Sequence, residues 1–468
     1  MERTAVAPWR GAVALALLLV ASRAAAVLHT DLFNTTIDDP DITIRTELPG
    51  VERAVTEEDL EPILRNNLEP DLLPWRRLGR PLRVMDLLDF MHQINTEWLE
   101  YRRNFLAIVR IKNNKMTWWA YPDARGWCTR RVKIIADEFH RFIKTAKMRF
   151  PDVVYVMNGY DKPLCERGNC SAPLFTFDKR WNASAAALGL PASAHDDILH
   201  PVMNHPFEAL VDYPWDKKIE KGFMRVGVYA AMPFNCSRVL VNKVGLTKAG
   251  SEVLDVGIYQ NRHWKVKVKT VPPVPMELHA RWKYLLNTDG QAASWRLAKL
   301  LAINSAIVKQ RSDAIEYYYR SLKEGEHYVS FDHTDVVQVI KGLKGRDREL
   351  QAMAKRNQAF AYRYLSQHSR TLYAAVSLRR YAELFDGAME PFVASVPENF
   401  TLAWFLALRE KLRAAEGKGR GGEDVGGRAL VEGAAAGGKG GVGAAQAGRG
   451  KAAEAAGIKP KPKGKVKR

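Results

Sequence analysis

The chain has 468 residues, 47% of them hydrophobic and 26% charged, with 12 tryptophans. That length holds two packed domains rather than one, and the charged fraction is that of an ordinary globular protein. The formal net charge is +19, and residues 416–468 carry 12 Lys/Arg against 5 Asp/Glu, so about 12 of the surplus positive charges belong to the rest of the chain. A basic surface attracts phosphates, nucleic acid, acidic glycans or anionic lipid, and by itself does not choose among them.

The N-terminus points to a compartment. Arg3 and Arg10 precede the apolar run Gly11 to Ala21, and the small residues Ala24-Ala25-Ala26 follow. Basic, apolar, then small is the order of a signal peptide, predicted over 1–26. The run is short of the roughly 20 residues of a membrane span, which leaves a signal anchor as the second reading. No later segment is apolar enough to span, so the prediction is a protein of the endoplasmic reticulum or Golgi lumen, monomeric, with no span after cleavage. Asn-x-Ser/Thr sequons at Asn34, Asn169, Asn182, Asn235 and Asn399 agree with that route. Cys128, Cys165, Cys170 and Cys236 could form two disulfides in three connectivities, with Cys165 and Cys170 predicted to staple a short loop. A zinc site is disfavoured, because no Cys-x-x-Cys or histidine pairs accompany them.

In chain order, residues 27–83 read as an extended or partly helical lead-in. A helical pattern runs through Met85, Leu88, Met91, His92 and Trp98, followed by a strand at Phe105 to Ile111 and a turn at Lys112 to Lys115. Ile134 to Lys147 has helical apolar spacing. Pro151 breaks it, and Val153 to Met157 is a compact β-branched run that opens into a loop at Asn158-Gly159. A second unit follows: a strand at Phe223 to Ala230, an apolar, mostly β-branched stretch at Arg238 to Val244, a strand at Trp282 to Asn287, a turn at Thr288-Asp289-Gly290, and a helix over Ser294 to Ile307. Thr334 to Leu384 is helical almost throughout. The fold class predicted is α/β: an N-terminal domain over 84–213, a C-terminal domain over 214–384 with terminal helices, and a cleft between them. A trailing helix over 385–412 and a disordered Gly/Ala/Lys-rich tail over 413–468 complete the chain.

Two segments could carry chemistry. In YLLNTDGQAASWR, Tyr284 to Arg296, a strand runs into a glycine turn, small residues and a helix start. Backbone N–H groups at a helix N-terminus cradle an anion, and Arg296 could add a bidentate fork suited to diphosphate. The plainer reading is an ordinary strand–turn–helix capped by Ser294. In VVYVMNGYDKPLCERGNC, Val153 to Cys170, Asp161 lies just beyond a strand end, where α/β sheets form ligand clefts. It could act as a general base or, more plainly, hydrogen-bond its own turn.

These segments, together with the Cys128 region, DDILHP at Asp196 to Pro201, PWDKK at Pro214 to Lys218, EYYYRSL, HYVSF and TDVVQVI, stand in an order that resembles glycosyltransferase family 90, the Rumi-like protein O-glucosyltransferases and capsule-associated protein homologues. The resemblance runs from about Tyr121 to Leu384. It implies a GT-B fold, two Rossmann-like domains facing each other across a central cleft with terminal helices crossing back. It also implies inverting, metal-independent transfer of glucose or xylose from a UDP-sugar to a protein Ser/Thr or glycan hydroxyl. Asp161 matches the family's catalytic base. Gln291, Ala292, Ala293, Ser294, Trp295 and Arg296 match the loop that holds the donor diphosphate, and Arg238 and Arg225 match donor-contacting arginines. His200 falls near donor and acceptor, where relatives often have tyrosine. No metal is expected, since the arginines would neutralise the leaving UDP; the literal Asp39-Pro40-Asp41 triplet lies in the lead-in and is discounted.

The sequence departs from the family at Phe223-Met224-Arg225-Val226-Gly227, where a valine stands between arginine and glycine. Valine does not take glycine's positive-φ conformations cheaply, so a remodelled donor loop is expected. The alternative reading is a catalytically silent lumenal protein that binds a UDP-sugar or glycan. Nucleic-acid binding through the tail is disfavoured, because the tail lacks aromatics for base stacking.

Overall fold

The computed structural model describes residues 39–98, 100–124, 126–188, 190, 192–203 and 209–419. The signal-peptide prediction, the Asn34 sequon and residues 420–468 of the predicted tail lie outside the described residues.

Two five-stranded sheets organise the chain. The first has the strand order 115–120, 106–112, 153–158, 174–176, 198–199. Leu106–Lys112 pairs antiparallel with both Lys115–Ala120 and Val153–Asn158, and the remaining pairings are parallel. The two-residue turn Asn113-Asn114 sets that hairpin. Both asparagines take positive φ, 51° and 61°, which matches the twist of tight hairpins and suits asparagine. The N-terminal unit is therefore a mixed sheet, a departure from the expected Rossmann-like layer: a hairpin this short forces antiparallel pairing, whereas a parallel crossover needs a dozen or more residues.

The second sheet is wholly parallel, in the order 254–261, 219–228, 282–287, 306–310, 329–331. Numbered along the chain this is 2-1-3-4-5, a doubly wound order whose direction reverses between Ile219–Val228 and Trp282–Asn287. Ligand crevices in such sheets lie outside the carboxyl ends of the strands at that reversal.

The lead-in is partly helical, with helices Glu57–Asn67 and Glu69–Arg76. Leu60, Ile63, Leu64, Leu68 and Leu72 from it are buried in the main core, and a Thr56/Asp59 capping box starts the first helix. Arg238 to Val244 lies inside a helix, Ser237–Gly245; burial of Val239 and Val241 against the parallel sheet overrides the weak strand preference of their β-branched side chains. The helix expected over Ser294 to Ile307 is five residues, Leu297–Leu301, and the chain becomes a strand again at Ala306–Gln310.

Helices Val336–Leu343, Asp347–Tyr364 and Gln367–Glu383 follow the second sheet, and the chain then returns to the first. Tyr381 Oη donates to Val154 O at 3.2 Å, and Arg380 pairs with Glu57, Glu61 and Glu69. The expected trailing helix is two helices, Met389–Ser395 and Leu402–Gly419. The second runs past the expected boundary at 412, and Arg409 holds Asp89 at 2.6 Å. Among the described residues no helix is long and apolar enough to cross a membrane.

Candidate active site

The strand Val153–Asn158 is buried along its whole length, and its end is tightly organised. Asn158 Nδ2 donates to Lys162 O at 2.7 Å, and its Oδ1 accepts from Tyr160 N at 2.8 Å. Gly159 is required here, since a Cβ would lie 2.3 Å from Cys128 Sγ. This turn presents Asp161. Its Oδ1 lies 2.7 Å from Arg131 Nη1 but is buried and accepts no hydrogen bond, so the contact is an ion pair that leaves lone pairs unspent. The side chain as a whole is 30% exposed.

The family-like motif Asp196-Asp197 anchors the far side of the same loop. Asp197 accepts from Leu164 N and Cys165 N at 3.2 and 3.1 Å, and Asp196 accepts from Gly168 N at 2.9 Å. Burial pushes the Asp197 carboxyl up to about 7. Cys165 and Cys170 form a disulfide within this loop, and Cys128 and Cys236 are free thiols. The second expected disulfide is absent because those two cysteines belong to different units: Cys128 Sγ donates to Phe105 O at 2.8 Å beside the first sheet, while Cys236 is the N-cap of Ser237–Gly245 beside the second.

Across from this loop lies the crevice at the strand-order reversal of the parallel sheet. Arg296 is half-buried there, with Nη1 donating to Arg225 O at 2.7 Å and Nη2 to Leu286 O at 2.9 Å. Those carbonyls belong to the two strands that flank the reversal, so Arg296 ties their ends together. Its Nε atom is buried without a partner. Arg238, which is buried, donates to Gly227 O at 2.7 Å and Asp289 O at 2.9 Å. Neither guanidinium has a carboxylate partner among the described residues. Burial, and then repulsion by Arg238, lowers the Arg296 pKa to about 9; burial also lowers that of Arg238. Two guanidiniums, one buried and one half-buried, bonded only to neutral carbonyls form a site that favours an anion.

The remaining expected donor residues divide. Ala292 and Ala293 are buried, and Gly290 N donates to Ala292 O at 2.9 Å, closing the turn beside Arg238. Ser294 is not a helix cap: the N-cap is Arg296, and Ser294 O accepts from Leu297 N. The five-residue helix therefore contributes little as an anion cradle, and the arginine side chains carry that role instead. Gln291 Nε2 donates to Tyr160 Oη, which joins this loop to the one bearing Asp161. Trp295 turns towards the first unit: its Nε1 donates to Asp178 Oδ2 at 3.2 Å, and the Arg131 guanidinium lies 4.5 Å above its ring. Arg225 is spent on the neighbouring strand, with Nη2 2.6 Å from Asp255 Oδ1. His200 is fully buried among Phe139, Phe175 and Phe177; burial lowers its pKa to about 4, and its Nε2 has no partner.

Val226 sits in register within Ile219–Val228, and the irregularity in this pairing lies on the neighbouring strand at Ile258/Gln260. Gly227 is not among the positive-φ residues; a Cβ there would meet Tyr229 Oη at 3.0 Å. Asp39 and Asp41 are ion-paired with Arg281 and Lys217. The described residues hold no group of three or more His, Cys, Asp or Glu placed to bind a metal ion. The sequons Asn169, Asn182, Asn235 and Asn399 are all exposed.

Sequence reasoning missed Arg131, Asp178 and Glu316. Burial, then the charges of Glu316 and Asp161, hold the Asp178 carboxyl well above its usual range, and burial pushes Glu316 up to about 8. Arg131 could have been found from its position on the amphipathic face that fills the gap behind the Asn158-Gly159 turn. The two carboxylates carry no local signal, because their burial is created by distant segments.

The family model for glycosyl transferase family 90 matches residues 85–394, about two thirds of the chain and all of the elements just described. This chain belongs to glycosyl transferase family 90. Among curated relatives, protein O-glucosyltransferase 2 of Danio rerio is 26% identical over 60% of this chain and 56% of its own length. Protein O-glucosyltransferase 1 of Rattus norvegicus is 24% identical over 52% and 65%. The O-glucosyltransferase rumi of Drosophila melanogaster is 25% identical over 70% and 78%. The chain thus spans little more than half to two thirds of the first two relatives. The likeness to the UDP-glucose complex of Anabaena HepE is slight, with TM-score 0.27 and 9% identity over 46% of this chain and 64% of that one.

Proposed function

We propose that this family 90 chain transfers glucose or xylose from a UDP-sugar to a protein or glycan hydroxyl, with inversion and without a metal. The observation that carries the reading is the pair of carboxylate-free guanidiniums, Arg238 buried and Arg296 half-buried, at the strand-order reversal, joined through Gln291 and Tyr160 to the loop of Asp161.

In this reading the diphosphate lies against Arg238 and Arg296. Asp161 takes the proton of the acceptor hydroxyl as its oxygen bonds to the sugar's anomeric carbon. The bond from that carbon to the diphosphate oxygen breaks, and its electron pair leaves with UDP, whose charge the two guanidiniums stabilise. Attack opposite the leaving group inverts the anomeric centre. Arg131 orients Asp161, and its stack on Trp295 links that orientation to the donor loop. Trp295 therefore acts on the base rather than on the diphosphate, which revises its expected role. A signal peptide and exposed sequons support a lumenal setting, with the relatives' printed activity supporting a hydroxyl acceptor.

The test is UDP release from purified protein over UDP-glucose, UDP-xylose and UDP-galactose, with cell-extract acceptors. Donor-selective release is expected. Asp161→Asn should slow it by about 10²–10⁴-fold, the range of a lost general base, with UDP affinity in calorimetry unchanged. A parallel loss of UDP affinity would make Asp161 a binding or structural residue. Tight UDP binding with no turnover on any donor would favour the silent binding protein.

A further inference from the structure

A second cavity lies at the opposite, amino edge of the parallel sheet, with a volume of about 460 Å³. Trp215 and Asn304, which line it, immediately precede the strands Ile219–Val228 and Ala306–Gln310. A ten-residue strand separates it from the Arg238–Arg296 crevice, about 30 Å at the usual rise per residue. One wall is the segment Leu48 to Val51, and another is the helix Asp347–Tyr364.

Its polar groups are built in and partly unspent. Gln358 is 3% exposed. Its Nε2 donates to Val211 O, Asp212 Oδ1 and Ala302 O at 3.3, 3.0 and 3.2 Å. Three acceptors fix the amide's orientation, and its Oε1 accepts no hydrogen bond among the described residues; Gln358 is one of the residues that line the cavity. Arg45 Nε holds Asp212 Oδ2 at 2.5 Å, leaving its Nη groups without internal partners. Gln351 and Lys355, on the same helix, make no internal hydrogen bond among the described residues. Both oxygens of Asp212 are used, so the cavity presents no unspent carboxylate for a cation. It offers an indole, short aliphatic walls and fixed amide, guanidinium and ammonium groups.

We propose that this cavity is a saccharide-binding site, distinct from the crevice of the transfer reaction, taking one or two sugar units of a glycan. A sugar ring is both apolar, through its C–H face, and densely hydroxylated, so it uses an aromatic wall and amide groups together. The volume falls in the usual range of small-ligand sites. Gln358 Oε1 accepts from one hydroxyl, while Gln351, Lys355 and Arg45 donate to others. A glycosyltransferase holding a glycan here would keep its acceptor chain bound remotely while the reacting hydroxyl samples the crevice, which raises the effective concentration of that hydroxyl.

The experiment is saturation-transfer NMR on the full chain with maltose and xylobiose, with and without saturating UDP. Binding of at least one disaccharide, undisplaced by UDP or inorganic phosphate, is expected. The double variant Gln351→Ala/Lys355→Ala removes two donors that have no internal role, so it should fold with an unchanged melting temperature and bind about tenfold or more weakly. Absence of transfer from both sugars, displacement by UDP or by phosphate, or unchanged affinity in the double variant overturns the proposal. Donor turnover is read separately, so failure here leaves the transferase reading standing, and the reverse also holds.

Discussion

Two buried charge clusters in this molecule are handled in opposite ways. In the first, Asp71 receives Lys179 at 3.0 Å, Arg320 at 2.7 Å and Leu199 N at 3.0 Å. Despite complete burial, the two cations hold its pKa below the usual carboxylate range. That cluster joins the lead-in helix Glu69–Arg76 to the first sheet through Leu199 and to the segment Tyr319–Ser321 of the second unit, and every charge in it has a partner. In the second, Arg238 and Arg296 have only carbonyl acceptors, while Asp178 and Glu316 are buried acids with raised pKa values. Unpaired buried charge costs stability, and it persists where it prepares a site for a ligand or a reaction. The compensated cluster holds the two units together, and the uncompensated one is where we propose the chemistry takes place.

The comparison can be broken by substitution. Asp71→Ala strands two buried cations and should cost about 3–5 kcal/mol, read in denaturant unfolding; a loss below about 1 kcal/mol would mean the triad does not lock the fold. Glu316→Gln should do the reverse at alkaline pH. The Glu316 pKa is raised in the folded state, so the folded protein binds the proton more tightly, and stability falls as pH rises from about 4.5 to about 8. The variant should remove that slope and gain a few kcal/mol at pH 8, whereas an unchanged profile would show that Glu316 titrates normally.

Arg131→Met should lower kcat by about a hundredfold through misplacement of Asp161, with UDP affinity intact. Arg131→Lys, which keeps the charge, should recover part of the rate. A melting temperature or UDP affinity that falls in step with the rate would make Arg131 merely structural. The smallest effect is expected for Arg238→Met: about tenfold weaker UDP binding, with less loss of stability than Asp71→Ala. Equal stability losses in the two clusters would erase the distinction between them.

Much of the fold was legible because it is local. Asn113-Asn114 and Pro151 punctuate the first sheet, and the β-branched run at Val153 reads as a buried strand on its own. The apolar periodicity from Thr334 onward resolves into three helices at the expected place. The lead-in was legible only as extended or partly helical, because its helices are mostly polar and their few leucines are buried only against elements far along the chain. Ser294 to Ile307 was misread because continuous apolar residues suit a helix or a buried strand alike. For the site, Asp161, Arg238 and Arg296 were found by resemblance and by position after strands, which are properties of sequence order.

Sequence alone therefore determined the two α/β units, the turn that bears Asp161 and the membership in glycosyl transferase family 90, since each depends on residue types at short spacing or in a shared order. Tertiary structure alone decided which sheet is mixed and which parallel, that Cys128 and Cys236 lie apart, that Arg225 pairs with Asp255 and that His200 is buried among phenylalanines. It also decided that Arg131 lies between Asp161 and Trp295. Those are outcomes of strand order and long-range burial, and a one-dimensional pattern does not encode which distant segment will cover a given charge.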